Sequence, residues 1–125
     1  MSPFDTPDAE TCGTILTIDL GALVANWRAL QTRAGTQAAA VVKANAYGLG
    51  IEPAVTALAA AGCESFFVAH LSEGVRARAV APDATIYILN GLLPGSCGRY
   101  AEHDLSPVLG SAEELQEWAG FRAGG

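Results

Sequence analysis

Positive charge is scarce in this 125-residue chain: Lys and Arg total 7 against 13 Asp and Glu, a formal net charge of −6. A phosphate backbone needs clustered Lys and Arg, so nucleic acid is not an expected partner. Long apolar runs are missing as well. None approaches the ~18–20 residues of a bilayer span, so no membrane segment is expected. The N-terminus has no basic start followed by an apolar stretch, so no signal peptide is expected and the cytoplasm is the default compartment. Cysteine is confined to Cys12, Cys63 and Cys97, widely spaced and with no CxxC pair. That argues against a disulfide scaffold or a zinc site. Lysine is scarcer still. The basic residues are Arg28, Arg33, Arg76, Arg78, Arg99, Arg122 and the single lysine, Lys43. What is abundant is apolar: half of the residues are hydrophobic, which excludes a disordered chain and allows one core.

Met1 to Gly13 shows little periodicity and reads as a mobile tail ahead of one folded unit over 14–125. Thr14–Asp19 (TILTID) alternates and is β-branched, so it reads as a strand. Asp19 then caps a helix whose apolar residues fall at Leu20, Leu23, Val24, Trp27 and Leu30, one helical face, with Gly35 at its end. Gln37–Val42 reads as a buried parallel strand, and Lys43–Gly50 (KANAYGLG) as a glycine-rich loop. Pro53 opens a helix that runs to Ala61. Ser65–Ala69 is the next strand. Ser72 caps a helix through about Val80. Thr85–Leu89 (TIYIL) is a further strand, and Gly91 to Gly98 a loop. A short helix near Arg99–His103, a strand near Pro107–Leu109 and a helix Ala112–Ala119 follow, the last opened by a Ser111/Glu114 capping box. Phe121–Gly125 shows no element.

Strand and helix therefore alternate about five times, which means a parallel sheet with right-handed crossovers. Two architectures fit. A doubly wound open sheet needs about this length, whereas a (β/α)8 barrel needs ~250 residues, of which this would be about the first half. In both, ligands bind at the carboxyl ends of the strands.

Lys43 sits at such an end, directly after Ala39-Ala40-Val41-Val42. Desolvation there disfavours the ammonium and makes the amine a usable nucleophile toward carbonyl compounds, pyridoxal phosphate above all. The plainer alternative is a lysine whose stem packs while its head reaches water. Tyr47, four residues on, offers a hydroxyl to a phosphate. Gly48 and Gly50 allow close backbone approach just ahead of a helix N-terminus.

Ala40-Val41-Val42-Lys43-Ala44-Asn45-Ala46-Tyr47-Gly48-Leu49-Gly50 resembles the pyridoxal-phosphate signature of the alanine racemases. Thr17-Ile18-Asp19-Leu20-Gly21-Ala22-Leu23 with Asn26 is similar to that family's N-terminal segment. Phe67-Val68-Ala69 with Glu73, and Ile86-Tyr87-Ile88-Leu89, sit where family strands would be. The resemblance covers residues 14–120 and implies the first part of a (β/α)8 barrel. It makes Lys43 the imine lysine and one of two catalytic bases, places Tyr47 on the cofactor phosphate and Leu89 against the cofactor. It implies an isomerase that interconverts L- and D-alanine for peptidoglycan, a homodimer at full length. The family's second base is a tyrosine of a C-terminal β domain, and the arginine facing the pyridine nitrogen lies on a later strand. Neither has a counterpart here, so the chain reads as an N-terminal fragment. Leu49 stands where the family often has histidine. A non-catalytic pyridoxal-phosphate barrel and a small doubly wound binding module are the alternatives.

His70, at the end of a strand, and Arg99, in a glycine-rich loop, are weaker ligand candidates. His103 lies on a surface helix beside Glu102 and Asp104. Arg76 and Arg78 read as a solvated helix face with Glu73. Trp27 reads as core, Trp118 as core or as covered surface, and Cys63 and Cys97 as small packed residues.

Overall fold

The computed structural model describes residues 10–125. Most of the expected tail, 1–9, lies outside the described residues. Helix α1 (Leu20–Ala34) starts where Asp19 accepts the Ala22 N–H at 2.9 Å and ends at Gly35. Then come β1 (Ala40–Val41), a five-residue turn α2 (Lys43–Tyr47), α3 (Ile51–Ala60), β2 (Ser65–Val68), α4 (Leu71–Val80), β3 (Thr85–Ile88), α5 (Cys97–Glu102), β4 (Ser106–Pro107) and α6 (Ala112–Ala123).

The four strands are parallel and lie in the order β1-β2-β3-β4. A doubly wound sheet reverses its strand order at a switch point; this one never does. Each crossover steps in the same direction, as in a (β/α)8 barrel, and the fold is partial and barrel-like. The strand pattern explains the layering. Phe66, Val68, Ile86 and Ile88 alternate onto one face and are buried, with Ile51, Val55 and Leu58 of α3 in the same core. Burying each such side chain contributes about 1.5–3 kcal/mol. The opposite face carries the register row Val41, Phe67, Tyr87 and Ser106. There the Phe67 and Tyr87 rings stack at 4.6 Å, and Val41 stays 47 % exposed. The sheet thus has one packed face and one open face.

Several expected boundaries move. Thr14–Asp19 is not a strand: among the described residues it has no strand partner, and it is exposed along its length. A strand is completed by a neighbour's N–H and C=O groups, and among the described residues no strand lies alongside this segment. The edge strands β1 and β4 shrink to two residues each. Helix α3 starts at Ile51, ahead of Pro53. Helix α4 is entered from His70, not Ser72, because the Glu73 carboxylate reaches back to the Ala69 and His70 N–H groups at 2.8 and 3.3 Å. Helix α5 starts two residues early, at Cys97. Helix α6 continues through Ala123, past the expected stop, with the Phe121 ring stacked on Trp118 at 5.9 Å. Its Ser111 cap holds the Glu114 N–H at 3.1 Å, while Glu114 reaches the N–H of Gly110, one residue further back than a capping box requires.

Candidate functional site

Lys43 follows β1 after one intervening residue, Val42, at the carboxyl end of the sheet, and is half-buried. Among the described residues no carboxylate comes within ion-pair distance of its ammonium. The segment after it is not the irregular loop expected. Ala44, Asn45, Ala46 and Tyr47 all have φ between 52° and 55°, a left-handed helical turn. The turn closes through Ala46 N–H to Val42 C=O at 2.9 Å and Gly48 N–H to Ala44 C=O at 3.1 Å. For residues other than glycine this conformation costs roughly 1–2 kcal/mol each, so four in succession store considerable strain. Gly48 and Gly50, at φ 89° and 97°, carry the chain out without that cost.

Polar groups from neighbouring elements hold the turn. Glu73 of α4 accepts the Ala44 N–H at 2.9 Å. Arg76, one turn on, donates to Asn45 Oδ1 at 2.9 Å and to both carboxylate oxygens of Glu52 at 2.6 and 2.7 Å. That hydrogen-bonded guanidinium holds the Glu52 carboxyl below its ordinary pKa. Asn45 Oδ1 also accepts the Ile51 N–H at 3.0 Å. Arg76 and Glu73 are therefore structural partners of the lysine turn rather than a solvated face. Arg78 departs from that expectation too. Its guanidinium donates to the carbonyls of Ala81, Pro82, Ala84, His103 and Asp104 and ties the end of α4 to the end of α5. Local spacing could not reveal these partners, because the Glu73–Ala44 bond spans 29 residues.

Tyr47 shares the turn with Lys43 and is 65 % exposed. With Leu49, Val41 and Trp27 it lines an apolar groove of about 270 Å³ that α1, β1 and α3 form; Lys43 is not in its wall. The N-terminus of α3 is a poorer anion site than its sequence implies. Asn45 already caps Ile51, Pro53 has no N–H, and Glu52 adds negative charge. A phosphate would therefore depend on Tyr47 rather than on this helix. Leu89 continues β3, its N–H bonded to Val68 C=O at 2.8 Å, and is 39 % exposed. It sits two strands from Lys43 on the same end of the sheet, about 10 Å laterally at the usual strand spacing.

The weaker candidates divide. His70 Nδ1 lies 3.0 Å from Asn90 Nδ2, where the ends of β2 and β3 meet. Arg99 faces Glu102 at 3.7 Å on an exposed helix, and His103 lies 3.8 Å from the same carboxylate. Trp27 is core, its indole N–H bonded to Ala38 C=O at 2.8 Å. Cys63 and Cys97 are buried, and burial pushes both thiols up. Among the described residues no cluster of His, Cys, Asp and Glu suits a metal ion, and no helix is long and apolar enough to cross a membrane.

The family description "Alanine racemase, N-terminal domain" matches residues 18–124. The chain belongs to the alanine racemase family. Curated alanine racemases agree along nearly the whole chain. That of Methylobacterium sp. (strain 4-46) is 60 % identical over 110 residues, covering 87 % of this chain and 30 % of the relative. That of Brucella suis is 49 % identical over 120 residues, covering 94 % and 30 %. Among solved structures, the alanine racemase of Bartonella henselae with covalently bound pyridoxal phosphate superposes with a TM-score of 0.80 at 40 % identity, over 83 % of this chain and 30 % of that one. The alanine racemase of E.faecalis gives 0.74 at 31 % identity, over 82 % and 28 %. The chain thus spans about 30 % of the length of the curated relatives it matches.

Proposed function

We propose that this chain is the cofactor-carrying part of an alanine racemase, an isomerase of the cytoplasm that interconverts L- and D-alanine for peptidoglycan and works as a homodimer at full length. The observation that carries the reading is Lys43: the single lysine, half-buried at a strand end, with no ion-pair partner among the described residues, on a strained and braced turn. The relative from Bartonella henselae binds pyridoxal phosphate covalently, which supports the same cofactor here.

The residues present fit that group. Among the described residues no carboxylate holds the Lys43 amine in an ion pair, and the amine can attach an aldehyde through Nζ. When bound, pyridoxal phosphate supplies an electron sink for the carbanion formed at the substrate Cα. Lys43 Nζ would take or return the proton on one face of that carbon. Tyr47, on the same turn, would donate its hydroxyl to the phosphate. Leu89 offers apolar contact at the end of β3. The base for the opposite face and the partner of the pyridine nitrogen lie outside these 125 residues, so the chain alone is expected to hold cofactor without efficient racemisation.

The test is borohydride trapping with pyridoxal phosphate, followed by peptide mass mapping. Lys43 and the N-terminal amine are the only primary amines, so each is the other's control. Saturable labelling at Lys43, lost on denaturation, is expected. Labelling at Lys43 no better than at the N-terminal amine would overturn the reading for this molecule.

A further inference from the structure

We propose that Glu73 is the positioning residue for Lys43, with Arg76 as a second arm; the proposal rests on the reading of Lys43 given above. Glu73 uses both carboxylate oxygens. Oε1 accepts the Ala44 N–H at 2.9 Å, and Oε2 accepts the N–H groups of Ala69 at 2.8 Å and His70 at 3.3 Å. One side chain therefore bolts the carboxyl end of β1 to the carboxyl end of β2.

The Ala44 amide belongs to the peptide plane that leaves Lys43. With the Val42 N–H held on Phe67 C=O at 2.8 Å on the other side, fixing that plane restrains the direction in which the Lys43 side chain leaves the backbone. The fixation matters because the next four residues are left-handed, and strained backbone persists only where its surroundings over-determine it. Hydrogen bonds to a charged acceptor are stronger than neutral ones, which suits a carboxylate to this task. Arg76 reinforces it three residues on, its Nη2 donating to Asn45 Oδ1 while Nε and Nη2 hold the two Glu52 oxygens. Capping of α4 alone would account for the bonds to Ala69 and His70. It does not account for the bond to Ala44, which lies on another element.

Glutamine separates the two roles. Glu73→Gln keeps the shape but has one acceptor oxygen and turns the other position into a donor, so it cannot serve both strand ends. The experiment compares the 125-residue chain with its Glu73→Gln variant. It measures the condensation of Lys43 Nζ with the aldehyde of pyridoxal phosphate, which releases one water, by trapping against time and cofactor concentration. It also measures hydrogen exchange at the Ala44 and β3 amides. Glu73→Gln is expected to lower the limiting rate at Lys43 about tenfold, since the amine is no longer held in one orientation. The half-saturating concentration stays within about twofold, because the phosphate contact is elsewhere; labelling of the N-terminal amine does not change. Ala44 exchange accelerates about tenfold while β3 stays protected.

A limiting rate and Ala44 exchange both like wild type would overturn the proposal. Loss of protection across β3 would mean that Glu73→Gln unfolds the chain. Arg76→Lys then decides, because lysine cannot grip Asn45 and both Glu52 oxygens together. A lower limiting rate with β3 intact supports the brace, and an unchanged rate overturns it. Failure of the wild-type chain to label at Lys43 overturns the functional reading instead, and the brace is then judged on Ala44 exchange alone.

Discussion

Two stretches of this chain begin with Thr-Ile and continue in β-branched and apolar alternation: Thr14–Asp19 and Thr85–Ile88. The second is β3, at the centre of the sheet, hydrogen-bonded to β2 on one side and β4 on the other. Its Ile86 and Ile88 are buried, at 0 % and 1 % exposure. The first has no strand partner among the described residues, and its Ile15, Leu16 and Ile18 are 44, 79 and 38 % exposed. Propensity is the same in both; the difference is a neighbour. β-Propensity measures fit to a pleated, half-buried surface, and it yields no strand where that surface is absent.

The contrast is broken most directly by truncating one apolar side chain in each stretch. Ile86→Ala leaves a cavity between β3 and the helices that cover it, at an expected cost of about 2–5 kcal/mol. Leu16→Ala removes a side chain already in water and is expected to change stability by less than about 0.5 kcal/mol. Urea melts of the two variants check this. Equal losses would mean that Thr14–Asp19 is packed in solution after all.

The same contrast explains how much the sequence discloses. Between Leu20 and Val80, alternation, 3.6-residue periodicity and capping signals located five of the six elements, because those runs bury one face and the pattern records the burial; the exception is α2, expected as a loop. Lys43 was legible for a different reason: a lone lysine after an apolar strand is conspicuous in a chain otherwise reliant on arginine. What was not legible depends on partners distant in sequence. Whether Thr14–Asp19 pairs, and whether Glu73 caps α4 or holds Ala44, is settled by what folding brings alongside. The left-handed turn is the clearest case, since alanine at 44 and 46 gives no local sign of positive φ.

That turn sharpens the comparison from the other side: context there imposes a conformation the residues disfavour. Ala44 is exposed, so replacing it with glycine relieves left-handed strain and loses little packing. Glycine's greater chain entropy offsets part of the gain, leaving Ala44→Gly more stable by about 0.5–1 kcal/mol. Ala46 shares the backbone conformation, but its methyl group is in the core at 5 % exposure. Ala46→Gly is therefore expected to gain less. Thermal melts of the two variants measure the difference. A destabilised Ala44→Gly would mean that the turn is right-handed or unformed in solution.

The smallest expected effect is electrostatic and local. The hydrogen-bonded guanidinium of Arg76 keeps the folded-state Glu52 carboxyl below its ordinary 4.5. As pH falls, the unfolded chain takes up this proton first. The stabilisation from the pair is therefore complete above about pH 4.5 and is lost as pH drops through the lowered folded-state value. Both side chains are nearly half exposed, at 45 and 43 %, so the global stability curve should barely register the loss. The turn should register it, because Arg76 also holds Asn45. Carbon-detected NMR titration of Glu52, followed with the Asn45 amide resonances, is expected to give one shared midpoint below the ordinary carboxylate value. In Arg76→Gln the Glu52 midpoint rises toward that ordinary value and Asn45 no longer follows it. An ordinary Glu52 midpoint in the wild-type chain would mean that the Arg76 bridge is open in solution, and that Glu73 holds the lysine turn alone.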